Sequence, residues 1–158
     1  IFYIIMIFSN ASEIVPNLWI GDKTDAHNIK FIREFDIRLI INCTKNIEFH
    51  QKYLHQKVRV NVDDKNSSDP ILENKKMYHC LIDLINTIHS YLQKNQAILV
   101  HCYAGAQRSA TVVAAYLIKF GKIDYRTAVK YIQSKRLKCF NPSINFGPAL
   151  LRYEASCR

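Results

Sequence analysis

The sequence predicts one α/β domain with a mostly parallel central sheet flanked by helices, and three observations carry that prediction. Short β-branched runs near residues 14–20, 38–42, 57–62 and 96–101 alternate with segments of helical periodicity. Strands separated by helices need crossover connections, which build parallel sheets covered on both faces. The chain has 158 residues, no Pro-, Gly- or Ser-rich linker and no internal repeat, so it closes one core and asks for no second domain.

Residues Ile1 to Phe8 form an uncharged apolar N-terminal extension, and the domain is placed at 9–158. The run is too short to span a bilayer and lacks the basic flank and small-residue cleavage site of a signal peptide, so no membrane partner is expected. Met6 makes an ordinary start, which would leave residues 1–5 as upstream sequence. If native, such an apolar patch packs on the domain or on a second copy, the latter making a homodimer.

Ile14 to Ile20 reads as the first strand, Asp25 to Phe35 as the first helix and Leu39 to Asn42 as the next strand. Residues 57–62 and 96–101, rich in Val and Ile, read as buried strands. Between them, Asn74 to Gln93 sets Met77, Leu81, Leu84, Ile85, Ile88 and Leu92 on one helical face, a core stripe. A further helix over Ala110 to Phe120 stops at Gly121, Asp124 caps the next, and Asn141-Pro142 reads as the start of the last.

The chemistry concentrates in His101-Cys102-Tyr103-Ala104-Gly105-Ala106-Gln107-Arg108-Ser109, between the apolar run Ala97 to Val100 and the helix from Ala110. A strand, tight loop and helix in succession aim backbone N–H groups and a helix N-terminus at one spot, which makes an anion site. Cys102 stands at its mouth as a nucleophile. Arg108 folds back to offer a two-pronged donor to phosphate oxygens, and the same positive environment lowers the thiol pKa. Gly105 supplies the unhindered backbone of the turn, and Ser109 brings a hydroxyl within reach of the sulfur. A cysteine alone after a buried strand is a small core hydrophobe; Gly105, Arg108 and Ser109 together make the catalytic reading the better one. Thiolate attack on a phosphate ester expels an alkoxide or phenoxide, which needs a proton donor. Beyond Val62 a polar, turn-rich loop offers three carboxyls, Asp63, Asp64 and Asp69, the last reading as a cap of the following segment or a solvent-facing residue.

Five cysteines (Cys43, Cys80, Cys102, Cys139, Cys157) are an odd number without paired spacing, which suggests neither a disulfide framework nor a zinc site. This favours a reducing compartment, the cytoplasm or nucleus. Cys43, at the end of the 38–42 strand, has two readings: a buried structural thiol, or a partner that traps an oxidised Cys102 as a disulfide. The net charge of +9, from 22 Lys and Arg against 13 Asp and Glu, suits polyanionic partners such as a phosphorylated acidic peptide or RNA. Because the charges are scattered, a merely solvated basic surface is the competing reading.

The pattern H-C-x-x-G-x-x-R-S resembles the signature of the cysteine-dependent protein phosphatases. Ile14 to Gly21, Leu39 to Asn42, Ala114 to Ile118 and Asn141 to Phe146 through Glu154 resemble the surroundings of that signature in the dual-specificity branch. The resemblance covers most of the chain and implies a compact dual-specificity phosphatase needing neither metal nor cofactor. It implies that Cys102 forms a phosphocysteine while Arg108 and the loop residues His101, Tyr103, Ala104, Gly105, Ala106 and Gln107 hold the phosphate. Ser109 would stabilise the departing thiolate, and His101 would orient the loop and help keep the sulfur ionised. By register with the family's strand ending, Asp64 is the general acid, with Asp63 the rival. Gln107 stands where the family more commonly has Ser or Asn, and Ala106 where Val is common.

The implied substrates are phosphorylated proteins. No segment before Asp22 resembles the tyrosine-recognition loop that deepens tyrosine-only pockets, so a shallow site accepting phosphoserine, phosphothreonine and phosphotyrosine is expected. Lipid-directed relatives carry lysines inside the loop, and this one has none. RNA 5′-triphosphate phosphatases share the Cys/Arg loop and are the alternative, although their signature usually follows Arg with Thr-Gly rather than Ser109-Ala110. A phospho-binding pseudophosphatase is a further reading, but such relatives lose the Cys or the Arg. The abundance of Ile, Lys and Asn is the bias of an A/T-rich coding genome, as in a virus or protist.

Overall fold

A computed structural model describes residues 8–64 and 68–158; the expectations for residues 1–7 lie outside it. In chain order the elements are β1 (Ser12–Val15), β2 (Leu18–Gly21), α1 (Lys23–Ala26), α2 (Ile29–Glu34), β3 (Ile37–Asn42), β4 (Gln56–Arg59), α3 (Pro70–Gln93), β5 (Ala97–His101), α4 (Arg108–Phe120), α5 (Tyr125–Lys135) and α6 (Gly147–Ser156). The sheet order is β1-β2-β5-β3-β4, with β1 and β2 antiparallel and every other pairing parallel. The expected α/β architecture is therefore present, with one antiparallel edge.

β5 is the sheet's middle strand and every residue of it is buried. Its side chains alternate between two cores. Ile98 and Val100, with Leu39 and Ile41 of β3, face Met77, Leu81 and Ile85 of α3 and Val113 of α4. Ala97 and Leu99, with Ile37 and Ile40, face Phe31 and Ile32 of α2 and Tyr53. A slip of one residue would exchange the two faces, so the register Ile40↔Leu99 and Asn42↔His101 is fixed by packing on both sides. That register sets Cys43 and Cys102 next to each other just beyond the sheet's carboxyl edge.

Several boundaries differ from expectation, each for a local reason. The strand over 14–20 is a hairpin, because Pro16 lacks an N–H and Asn17 adopts φ 70, a left-handed conformation that Asn tolerates. The helix over Asp25 to Phe35 is two helices. Asp22 and Asp25 form a capping box on α1, and the Asn28 side chain restarts α2 by accepting from Phe31 N. The 57–62 strand is β4, which ends at Arg59 and lies at the sheet edge with Gln56, Lys57 and Arg59 exposed. The last helix begins not at Asn141-Pro142 but at Gly147, with Pro148 in its first turn. α3 starts at Pro70 rather than Asn74, with Asp69 as its cap accepting from Leu72 N; of its expected core stripe Met77, Leu81, Leu84, Ile85 and Ile88 are buried, and Leu92 is half-buried against the same core.

Candidate active site

β5 carries His101 to the carboxyl end of the sheet, and the chain turns through a tight loop into α4. Gly105 makes the turn at φ +65, and a Cβ built there would lie 2.6 Å from Gly21 O and 2.7 Å from Arg136 Nη2. Arg136 holds the loop from behind. Its buried guanidinium donates from Nε to Gly105 O at 2.8 Å, and from Nη1 to Ser12 Oγ at 3.1 Å and to Asn10 O.

Cys102 is buried, with Sγ 3.2 Å from Ser109 Oγ. Burial alone would raise its pKa. The hydroxyl and N–H of Ser109, the charge of Arg108 and the N–H of Ala106 outweigh that effect and hold the thiol below its ordinary value. Arg108 donates from Nη1 to Val62 O at 3.1 Å, and its Nε is buried without a hydrogen bond among the described residues. His101 is fully buried with Nδ1 3.4 Å from Cys102 O. Burial lowers its pKa to about 4, so the ring is neutral at pH 7 and acts on the loop through geometry rather than charge.

The remaining loop residues divide by position. Tyr103 and Ala104 are exposed on the rim, where Lys23 Nζ donates to Tyr103 Oη at 2.9 Å. Ala106 O accepts from Phe140 N at 2.9 Å. Gln107 points away from Cys102: Nε2 donates to Ser143 O at 2.7 Å, and Oε1 accepts from Asn145 N at 3.1 Å.

The three candidate acids have different surroundings. Asp63 pairs with Lys45 at 2.9 Å, which holds its carboxyl below the usual range, while its N–H donates to the buried Glu73 at 2.8 Å. Asp69 caps α3. Asp64 reaches the loop: Oδ2 is 3.9 Å from Arg108 Nε, and Oδ1 accepts from Asn145 Nδ2 at 2.7 Å. Cys43 is wholly buried beside Cys102; its N–H donates to His101 O at 2.8 Å, and burial raises its thiol well above the ordinary pKa. Among the described residues no cluster of three or more His, Cys, Asp or Glu is placed to hold a metal ion, and no helix is long and apolar enough to cross a membrane.

Sequence reasoning missed Arg136, Asn145, Lys45 and Glu73. Nothing in local spacing marks them, because Arg136 meets Gly105 across 31 positions and Asn145 meets Asp64 across 81. A buried role for Arg136 is also invisible in a run of basic residues that reads as a solvated face.

The arrangement joins a thiol of lowered pKa, a tight loop entering a helix and an adjacent carboxyl. Dual specificity protein phosphatase 9 of Homo sapiens is 31% identical over 149 residues, which cover 92% of this chain but 36% of the relative. Protein 123R of Invertebrate iridescent virus 6, provisionally named a tyrosine phosphatase, is 32% identical over 145 residues, covering 90% of this chain and 91% of that one. The chain thus spans about a third of the human relative's length and nearly all of the viral one. The crystal structure of human tyrosine phosphatase-like serine/threonine/tyrosine-interacting protein superposes with a TM-score of 0.80 at 27% identity, over 92% of this chain and 96% of that one. The family model described as dual specificity phosphatase, catalytic domain, matches residues 18–156, and the chain belongs to that family.

Proposed function

We propose that residues 9–158 form a phosphatase domain that hydrolyses phosphotyrosine, phosphoserine and phosphothreonine in proteins through a phosphocysteine. The observation that carries this reading is the convergence of a low-pKa Cys102 thiol, the Ser109 hydroxyl at 3.2 Å and Arg108 beside Asp64 at 3.9 Å. In the first step the Cys102 thiolate bonds to phosphorus and the P–O bond to the leaving group breaks. Asp64 gives its proton to that oxygen, while Arg108 and loop N–H groups hold the equatorial oxygens. In the second step water bonds to phosphorus, Asp64 takes its proton and the S–P bond breaks. Ser109 then donates a hydrogen bond to the released thiolate. Asp64 is favoured over Asp63 because Lys45 keeps Asp63 ionised and turned aside. The dependence on a free thiolate suits a reducing compartment such as the cytoplasm or nucleus.

The test is phosphate release from a doubly phosphorylated Thr/Tyr peptide and from 5′-triphosphorylated RNA, side by side, with Cys102→Ser as the control. Peptide turnover that vanishes in the variant is expected. Faster turnover of RNA, or none of either substrate, would overturn the assignment.

A further inference from the structure

Gln107 occupies the N-cap position of α4, yet its side chain makes no cap hydrogen bond. Ser, Thr, Asp or Asn at an N-cap would turn a side-chain oxygen onto the helix's first N–H groups. Gln107 instead spends both ends of its amide on the segment before α6. Nε2 donates to Ser143 O at 2.7 Å, and Oε1 accepts from Asn145 N at 3.1 Å. The two bonds grip backbone groups two residues apart, as a neighbouring strand would, and they fix the loop that carries Asn145.

Asn145 is in turn fully tied. Its carbonyl accepts from Asn74 Nδ2 at 3.3 Å, and its side-chain oxygen accepts from Ser143 Oγ at 3.1 Å. The second bond decides which end of the amide faces which way, because an oxygen held by a hydroxyl leaves the NH2 group to point elsewhere. It points at Asp64 and donates to Oδ1 at 2.7 Å. With Oδ1 held, Oδ2 is the oxygen turned toward Arg108, at 3.9 Å from Nε.

We infer that Gln107 and Asn145 are positioning residues that orient the Asp64 carboxyl from the phosphate-binding loop itself. The inference rests on the reading of Asp64 as general acid and adds how that acid is aimed. A hydrogen bond to one carboxylate oxygen selects the other as the atom that carries the transferred proton. The chain from Gln107 through Asn145 makes the acid's orientation depend on the same loop that binds phosphate. A Ser at position 107 would be too short to span to Ser143 and Asn145, so the link depends on the length of the Gln107 side chain.

A misaimed general acid harms reactions in proportion to how badly the leaving group needs a proton. A phosphothreonine peptide expels an alkoxide and needs it strongly. Para-nitrophenyl phosphate expels a stable phenolate and needs it little. The readout is therefore the ratio of kcat/KM for phosphothreonine peptide to that for para-nitrophenyl phosphate, in wild type, Gln107→Ser, Asn145→Ala, Asp64→Asn and the two doubles with Asp64→Asn. The expected result is a ratio lowered about tenfold or more in Gln107→Ser and in Asn145→Ala, and no further lowering when either is added to Asp64→Asn. Equal slowing of both substrates, or an extra loss in the Asp64→Asn background, would show a merely structural role and overturn the inference. A ratio that collapses in Asp64→Asn but stays at the wild-type value in the other two sinks the relay alone. A wild-type ratio in Asp64→Asn sinks the general-acid assignment and the relay with it. Should Gln107→Ser not fold, the half-buried, loop-borne Asn145→Ala carries the same comparison.

Discussion

Substituting Gly105 by Ala adds one methyl group where Gly21 and Arg136 close on the loop between β5 and α4, and the structure sets the size of the effect. At φ +65 a non-glycine residue is disfavoured by about 1–2 kcal/mol. The new Cβ would also lie 2.6 Å from Gly21 O, 2.8 Å from Gly21 C and 2.7 Å from Arg136 Nη2. None of these is a compliant neighbour. Gly21 is the end of β2, paired with His101, and Arg136 is buried and bonded to Gly105 O itself. Overpacking against rigid neighbours adds about 1–3 kcal/mol, so the total destabilisation is about 2–5 kcal/mol. Relieving the clash moves the loop, and a shift of about 1 Å at a catalytic centre lowers turnover about 100-fold. Urea unfolding followed by circular dichroism gives the first quantity, and phosphate release from a phosphotyrosine peptide gives the second. A Gly105→Ala protein that loses less than about 1 kcal/mol and keeps its rate within about threefold would refute the account of why glycine stands here.

Other consequences are equally direct. Ser109→Ala removes one of the two Ser109 hydrogen bonds that lower the Cys102 pKa, taking the hydroxyl and leaving the N–H; the pH profile of Cys102 alkylation, followed by peptide mass mapping, should move to higher pH, and an unchanged profile would contradict the role of the hydroxyl. His101 is protonated more readily unfolded than folded, since burial lowers its folded pKa to about 4 from 6.5. Its contribution is complete above pH 6.5 and is lost as pH falls toward 4, an effect of about 3 kcal/mol. Unfolding free energies at pH 7 and pH 4.5 should therefore differ less in His101→Asn than in wild type, and equal differences would show that another group dominates. Asp63→Asn should retain phosphothreonine turnover within a few-fold, whereas Asp64→Asn should lose about 100-fold or more; the reverse order would make Asp63 the acid.

Much of the fold was legible because its signals are local. The Met77 to Ile88 stripe, the β-branched runs of β3 and β5 and the caps at Asp69 and Asp124 each depend on residues within a turn or two, and the structure places all of them as expected. Local signals also misled where two competed. The apolar pattern over 14–20 outvoted Pro16-Asn17, and the helical pattern over 25–35 outvoted Asn28, although in both places the backbone preference of single residues prevailed. At Asn141-Pro142 the local signal for a helix start was sound in form, but Ser143 and Asn145 are bonded to Gln107, and the helix waits for Pro148.

The sequence by itself determined that a thiol, a guanidinium, a turn glycine and a hydroxyl would meet at residues 101–109, because they lie within one strand–loop–helix unit whose geometry follows from adjacency. Only the tertiary structure decided which carboxyl faces that loop. Asp63 and Asp64 are neighbours with identical side chains, so nothing local tells them apart. Lys45 takes one and Asn145 the other, across 18 and 81 positions of chain. The tertiary structure also decided that Arg136 is buried behind Gly105 rather than solvated. A charge is buried when enough acceptors converge on it, and its acceptors Gly105 O, Asn10 O and Ser12 Oγ come from distant parts of the chain brought together by the folded sheet and α5.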